Sequence, residues 1–253
     1  MSKLLGVAKS KDTAKFYDAL MDGDAKRSFL GKDTRFSALR VAQLPSVQKY
    51  FVDVVRPLIA TDDRVLDFGA GPASFMIPLA PHCREIVGAE ISARFVEEGQ
   101  SVLDELQIKN AKLVHIDPDV LPFEDESFDV LMMVDVIHHL ENIPVSLDEA
   151  FRVLKPGGRV IVFEPNKLNP LLYLVHFADR NEWGLLKLGT PAKYRRVLSP
   201  YIRIERLSFN GIVIGPQSKI YNSIADLLNS QRWSPFMGWL NPKIFITGTK
   251  PAK

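Results

Sequence analysis

Three acids stand at the ends of short apolar runs: Asp67 after Val65-Leu66, Glu90 after Val87-Gly88-Ala89, and Asp117 after Val114-His115-Ile116. An acid at such a place lies on the carboxyl edge of a parallel sheet, where open α/β folds take their ligands. Glu90 can accept hydrogen bonds from both hydroxyls of a ribose, a bidentate arrangement that orients an adenosine. Asp117 can accept from an adenine amino group, with Pro118, Leu121 or Phe123 covering the base. Between the first two acids runs Gly69-Ala70-Gly71, whose glycines lack the Cβ that would keep a ligand from the backbone. Asp67 immediately precedes this loop. A pyrophosphate gains nothing from a negative charge there, whereas a sulfonium that also carries an α-ammonium group does. Ser74 fills the slot of a third glycine, which weakens a dinucleotide reading. Glu90 alone serves either type of cofactor.

A second set of groups could move a proton. His138 and His139 follow the run Val130-Leu131-Met132-Met133-Val134, and histidine titrates near neutrality. Neighbouring residues cannot both point at one spot, and His139 is preferred, the alternative being a histidine that only packs or caps. Glu164, in Phe163-Glu-Pro-Asn166, also ends an apolar run. It either reaches the crevice or holds a neighbouring loop.

The elements that must position these groups are legible as alternating short apolar runs and longer helical stripes, the mark of βαβ units. Strands are expected at 64–68, 85–90, 112–116, 128–134, 159–164, 202–209 and 243–249. Ser92 can cap a helix with Phe95, Val102, Leu103 and Leu106 inward. Pro144 can open another with Leu147, Ala150, Phe151 and Leu154 as its stripe, stopped by Pro156-Gly157-Gly158. Residues 1–60 read as a helical cap or lid in which Ala14, Tyr17, Leu20 and Met21 share a face, and Pro45 starts a second helix through Tyr50, Phe51, Val54, Val55 and Leu58. Residues 61–253 form the main domain. Within it, 166–242 is an insertion rich in Leu171, Leu172, Tyr173, Phe177, Trp183, Ile212, Ile214, Trp233, Phe236 and Trp239, either an apolar pocket for the substrate or a second small core.

Composition narrows the class. A net charge of +2 with 46% hydrophobic and 25% charged residues is ordinary for a soluble globular chain and gives no pull towards nucleic acid or an anionic membrane. The lone cysteine, Cys83, excludes an internal disulfide and fits a reducing, cytoplasmic setting. No signal peptide or membrane span is expected, and no metal cluster. The basic run Lys193, Arg195, Arg196, Arg203 and Arg206 reads as a solvated face before it reads as an anion site.

Taken in order, Val65-Leu-Asp-Phe-Gly-Ala-Gly71, Val87-Gly-Ala-Glu-Ile91, Asp117 with Leu121-Pro-Phe123, Phe128-Asp-Val-Leu131, His138-His-Leu140 and Leu154-Lys-Pro-Gly-Gly158 resemble the class I S-adenosylmethionine-dependent methyltransferases, in particular the small-molecule branch that includes quinone-biosynthesis enzymes. The resemblance covers about residues 60–165. It implies a Rossmann-like α/β fold with seven mostly parallel strands, the last antiparallel, and helices on both faces. It also implies S-adenosyl-L-methionine as cofactor, with S-adenosyl-L-homocysteine as product. By position, Asp67, Gly69, Ala70 and Gly71 match the loop around the methionine part. Glu90 and Ile91 match the ribose and adenine contacts, Asp117 and Pro118 the adenine contacts, and Val134 the neighbourhood of the sulfonium. The expected acceptor is a small molecule of hydrophobic or lipid-linked character, methylated by in-line transfer. A nucleic-acid methyltransferase is the enzymatic alternative, disfavoured because no Asn-Pro-Pro-Tyr motif, cysteine loop or dominant basic surface is present. A non-catalytic cofactor-binding protein is the third reading, and the complete set of acids speaks against it.

Overall fold

The computed structural model describes residues 15, 18, 37–170, 172–174, 187–210, 219–229 and 234–252. The apolar runs become seven strands: β1 (Arg64–Phe68), β2 (Glu85–Glu90), β3 (Ala111–His115), β4 (Phe128–Val134), β5 (Leu154–Pro165), β6 (Arg203–Phe209) and β7 (Lys243–Thr249). They form one sheet in the order β3-β2-β1-β4-β5-β7-β6. Neighbours from β3 to β5 are parallel, and β7 is antiparallel to both β5 and β6, so β7 alone runs against the rest. The expected mostly parallel sheet with a reversed last strand is therefore present.

Strand alternation divides the core between the two faces of the sheet. Val65, Val130, Met132, Val134, Ile161, Phe163 and Phe245 meet Tyr50, Phe51, Val55, Met76, Leu79 and Leu103 on one face. Leu66, Phe68, Leu131, Met133, Val162, Ile244 and Ile246 meet Leu147, Ala150, Phe151, Tyr194 and Leu198 on the other. Because both faces are covered, Val130 to Met133 are all 0% exposed, which is why that run contains no polar residue.

The helices whose bounds are described include α1 (Ala38–Ala42), α2 (Pro45–Tyr50), α3 (Met76–Leu79), α4 (Ala93–Glu105), α5 (Ile143–Arg152), α6 (Pro191–Leu198), α7 (Lys219–Asn229) and α8 (Ser234–Met237). Pro45 occupies the first turn of α2, where its missing N–H costs nothing. The expected helix continues past Tyr50 as a π-helical turn, Phe51–Val55, and a 3-10 turn, Arg56–Leu58. Ser92 Oγ caps α4 by accepting from Phe95 N at 3.1 Å. The inner face of α4 holds Phe95, Gly99 and Leu103, whereas Leu106 lies past its end and is 39% exposed.

Two expectations change at the junction of α5 and β5. The helix ends at Arg152, ahead of Pro156-Gly157-Gly158, and Leu154 belongs to the strand. Leu154 pairs with Phe128 and the next pairing is Arg159 with Val130, so the intervening residues bulge out, with Gly157 at φ 73°. The proline and glycines thus shape a bulged strand entry. Ala14, Tyr17, Leu20, Met21, Leu171, Phe177, Trp183, Ile212, Ile214 and Trp233 lie outside the described residues. Among the described residues no helix is long and apolar enough to cross a membrane.

Helix α4 comes close to the glycine loop because position 99 has no side chain. A Cβ on Gly99 would stand 2.8 Å from the carbonyl carbon and 2.9 Å from the oxygen of Pro72, and would also strike Leu113. Gly99→Ala gains about 1 kcal/mol of helix propensity, but overpacking against backbone costs about 1–3 kcal/mol. Because the obstacle is main chain that cannot rotate away, overpacking wins. Urea unfolding of Gly99→Ala is expected to show a net loss of up to about 2 kcal/mol; a gain would contradict this packing.

Candidate functional site

The carboxyl ends of β1 and β2 bring Asp67, the glycine loop and Glu90 together. Gly69 adopts φ 78° and Gly71 φ 54°, both in the left-handed region that favours glycine. Each glycine has its own reason. A Cβ on Gly69 would strike Val136, whereas a Cβ on Gly71 would meet nothing within 4 Å, so Gly71 opens onto free space.

The loop's N–H groups are committed inward. Gly69 N and Ala70 N donate to Ala89 O at 2.8 and 3.3 Å. Gly71 N donates to Glu90 Oε2 at 2.8 Å. A phosphate-binding loop needs those donors facing its ligand, so this loop is not built for a pyrophosphate. Glu90 is 5% exposed, and its other oxygen accepts from Ser92 N at 2.9 Å. Two backbone donors therefore fix the carboxylate at the strand end, and each oxygen keeps a lone pair for a ligand hydroxyl. Burial raises the Glu90 pKa, and the N–H groups of Ser92, Gly71 and Ile91 oppose the rise.

Asp67 differs from Glu90 in having no hydrogen-bond partner. It is 1% exposed and both of its carboxylate oxygens are buried without one. Burial, reinforced by the charge of Glu90, pushes its pKa up to about 8. Ser74 in the same loop is likewise buried with its Oγ unpartnered. In the sequence Ser74 reads only as a missing glycine, and its polar side chain is the one local sign of this position.

Asp117 and Pro118 follow β3. Asp117 is exposed, and its Oδ1 accepts from Asp119 N at 3.0 Å, so it also makes the turn at its own position. Pro118 is buried beneath it, and Ile91 is half-buried at the end of β2. Helix α5 holds this loop. Glu149 Oε2 accepts from Leu121 N at 2.9 Å, and Arg152 donates to the carbonyls of Leu121 and Phe123 at 3.0 and 2.9 Å. Neither Glu149 nor Arg152 stood out in the sequence, because a charged pair three residues apart on a helix resembles any solvated face. Asp18 reaches the site from the N-terminal segment, where its carboxylate accepts from Ser92 Oγ at 2.6 Å.

Beyond β4 a second cluster forms. Glu164 is 0% exposed and accepts four hydrogen bonds. Val136 N and Ile137 N donate to Oε1 at 2.9 and 2.7 Å. His138 Nδ1 and Tyr194 Oη reach Oε2 at 2.7 and 3.0 Å. The carboxylate thus ties the 3-10 turn Ile137–His139 to β5 and α6. His138 is 2% exposed, and its ring lies 3.9 Å from that of His139, which is only half-buried. Val134 closes the tip of β4 at 7% exposure. The structure therefore sets Asp67, Gly69, Ala70, Gly71, Glu90 and Ile91 around one loop, with Asp117 and Pro118 at the next strand end. Val134, His138, His139 and Glu164 form a neighbouring group. Among the described residues no cluster of side chains could hold a metal ion.

Residues 66–162 match the methyltransferase domain family. The chain is 30% identical over 103 residues to an uncharacterized methyltransferase, YcgJ, of Bacillus subtilis, covering 41% of each chain. It is 35% identical over 106 residues to the demethylmenaquinone methyltransferase of Tropheryma whipplei, covering 42% of this chain and 43% of that one. The chain thus spans about two fifths of the length of these curated relatives. Among solved structures, the [4+2]-cyclase SpnF superposes with a TM-score of 0.64 at 16% identity, covering 98% of this chain and 99% of the other. The fold is shared with a protein named for a different reaction, so the chemistry has to be argued from the site.

Two outcomes follow from this geometry. An acid with pKa about 8 when folded, against about 4 unfolded, holds its proton in the fold while the unfolded chain ionises. Its contribution to stability is full below pH 4 and is lost as pH rises towards 8. Asp67→Asn removes that dependence, so in urea unfolding its stability relative to the parent should rise by up to about 1.4 kcal/mol per pH unit between pH 5 and 8; a gap that does not change with pH would contradict it. Glu164→Ala removes the acceptor of four hydrogen bonds and should cost about 3 kcal/mol or more in the same measurement.

Proposed function

We propose that this chain, whose residues 66–162 match the methyltransferase domain family, is a class I methyltransferase that binds S-adenosyl-L-methionine and transfers its methyl group to a small acceptor of apolar character. The observation that carries the reading is Asp67, a buried acid with no hydrogen-bond partner beside a glycine loop whose N–H groups are already spent. Such a site rewards a cation and offers nothing to a pyrophosphate. The donor set fits the cofactor. Asp67 would face its positive charge, Gly71 leaves room for it, Glu90 has lone pairs for two ribose hydroxyls, and Asp117 with Pro118 and Ile91 would hold the base. When bound, the cofactor supplies an electrophilic methyl group on a sulfonium.

The protein's own part is to align the acceptor and exclude water. Val134 contributes an apolar wall. His139 is the group that takes a proton where the acceptor is a hydroxyl or a carbon acid, since its ring is half-buried and reachable. His138 and Glu164 are positioning residues, the carboxylate fixing His138 and the His138 ring backing His139. Large apolar side chains left at the surface of the 166–242 segment, among them Leu168, Leu174, Phe236 and Trp239, support an apolar acceptor. The demethylmenaquinone methyltransferase relative supports the same class.

The test is thermal unfolding with S-adenosylmethionine, S-adenosylhomocysteine and NAD side by side. At a hundredfold excess over Kd a true ligand adds about 2.7 kcal/mol, or roughly 5–10 °C for a chain of this size. Both sulfur nucleosides should raise the midpoint and NAD should not; stabilisation by NAD alone overturns the reading. Glu90→Ala should abolish the shift. His139→Ala should preserve it while lowering kcat for a hydroxyl or carbon acceptor by about 10²–10⁴-fold.

A further inference from the structure

Most of the exposed large apolar side chains among the described residues fall within 166–242. Ile220 and Phe236 are each 76% exposed and Leu174 is 65%, with Trp239 also exposed. On α7 the exposed apolar residues recur as Ile220, Ile224 and Leu227, one stripe along the helix. The fold brings the elements that carry them together. Strand β5 ends at the carboxyl edge and β7 starts there, with Pro165 paired to Lys243. Buried Asn166 clamps the two connecting segments, its Nδ2 donating to Trp239 O and Asn241 O at 2.9 Å each. Asn169 Nδ2 donates to Leu240 O, and α7 packs against both α8 and the 3-10 turn Gly238–Leu240. This apolar rim therefore stands at the carboxyl edge, two residues beyond the Glu164 that holds the histidine platform.

The same segment carries the positive charge of the chain. Residues 166–242 hold ten Lys and Arg against four Asp and Glu, a net +6, whereas the whole chain is +2 and the remainder therefore −4. The small total hides an asymmetry of the kind that marks surface binding to polyanions. Lys167 N donates to Gly189 O at 2.9 Å, which sets the start of α6 beside the rim. Lys193 Nζ donates to Lys187 O, and burial together with the charge of Lys193 lowers the Lys167 pKa, so three lysines crowd one corner. Lys187, Lys193 and Lys219, the first residue of α7, are exposed.

We propose that this rim docks on an anionic lipid bilayer, with α7 and residues 234–240 lying in the headgroup layer. Charge selects the occupant first. Each Lys or Arg near an anionic bilayer strengthens binding about fivefold, whereas a second copy would bring two net-positive segments together. Shape selects it next. Side chains three quarters exposed stand out from the surface, and a fluid acyl layer accepts them without the matching outline that a folded partner must supply. Aliphatic tips such as Ile220 and Leu174 offer a nucleic acid neither charge nor stacking. Helix α7 has 11 residues, and no described helix is long and apolar enough to cross a membrane, so the contact is with the bilayer surface. The docking surface stands without the methyltransferase reading; only its purpose rests on it. An apolar acceptor dissolves in the bilayer and would reach the carboxyl edge from there without crossing water.

The test sediments the full chain with vesicles of phosphatidylcholine alone and of equimolar phosphatidylcholine and phosphatidylglycerol. The wild type should bind the mixed vesicles at least about fivefold more tightly than the neutral ones. Ile220→Gln and Ile224→Gln should each weaken binding to the mixed vesicles about tenfold. Lys219→Gln should weaken it about fivefold, an effect that raised salt removes. All three variants should keep the wild-type melting midpoint, because exposed substitutions change stability little. Equal binding to the two vesicle types, binding to neither, or full binding by both isoleucine variants would overturn the proposal. So would a wild-type dimer that Ile220→Gln dissociates, since the face would then belong to a second copy. Calorimetry with S-adenosylhomocysteine on the same preparations keeps the two readings apart. Nucleoside binding without vesicle binding overturns only the docking surface, and vesicle binding without nucleoside binding overturns only the methyltransferase reading.

Discussion

The site is organised around a carboxyl group that has been taken out of water and given no hydrogen-bond donor. Removing a charge from solvent costs several kcal/mol unless a partner offsets it, and among the described residues neither carboxylate oxygen of Asp67 has a hydrogen-bond partner. The loop N–H groups that could have turned towards it are held by Ala89 O and Glu90. The charge of Glu90 acts on it and has the wrong sign. Such an arrangement persists where a bound cation compensates it, and the ligand-free protein carries the cost in the meantime.

Glu164 is the satisfied counterpart of Asp67. Equally buried, it accepts four hydrogen bonds and so converts a loop after β4 into a fixed platform for the two histidines. The two halves of the site touch where Val136, whose N–H is held by Glu164, lies against Gly69. A side chain at position 69 would therefore disturb both halves. This contact couples the proposed cofactor loop to the proposed acceptor platform, and it explains why the glycine at 69 answers to packing while the one at 71 answers to space.

Most of the sheet could be read from the chain because strands buried on both faces must be apolar at nearly every position, as in Val130 to Met133. The acids at strand ends were legible for the same reason: an Asp or Glu that ends such a run has few places to be except the carboxyl edge. The entry of β5 was not legible. Pro156-Gly157-Gly158 serves a bulge as readily as a helix stop, and only the pairing of Leu154 with Phe128 separates the two. The acceptance of four bonds by Glu164 and the grip of Arg152 on the Leu121 loop were equally hidden. Each depends on groups that meet only after folding, tens of residues apart, and no local pattern encodes them.

The central claim is that Asp67 waits for a positive charge, and the affinity for S-adenosylhomocysteine as a function of pH tests it most directly. Binding of the ligand's ammonium group favours ionised Asp67, whose carboxyl in the free protein has a pKa pushed up to about 8. Affinity should therefore strengthen by up to about tenfold per pH unit from pH 6 towards 8 and then level off, and Asp67→Asn should bind weakly with no such slope. An affinity that is flat over that range, or the same slope in Asp67→Asn, would contradict the account.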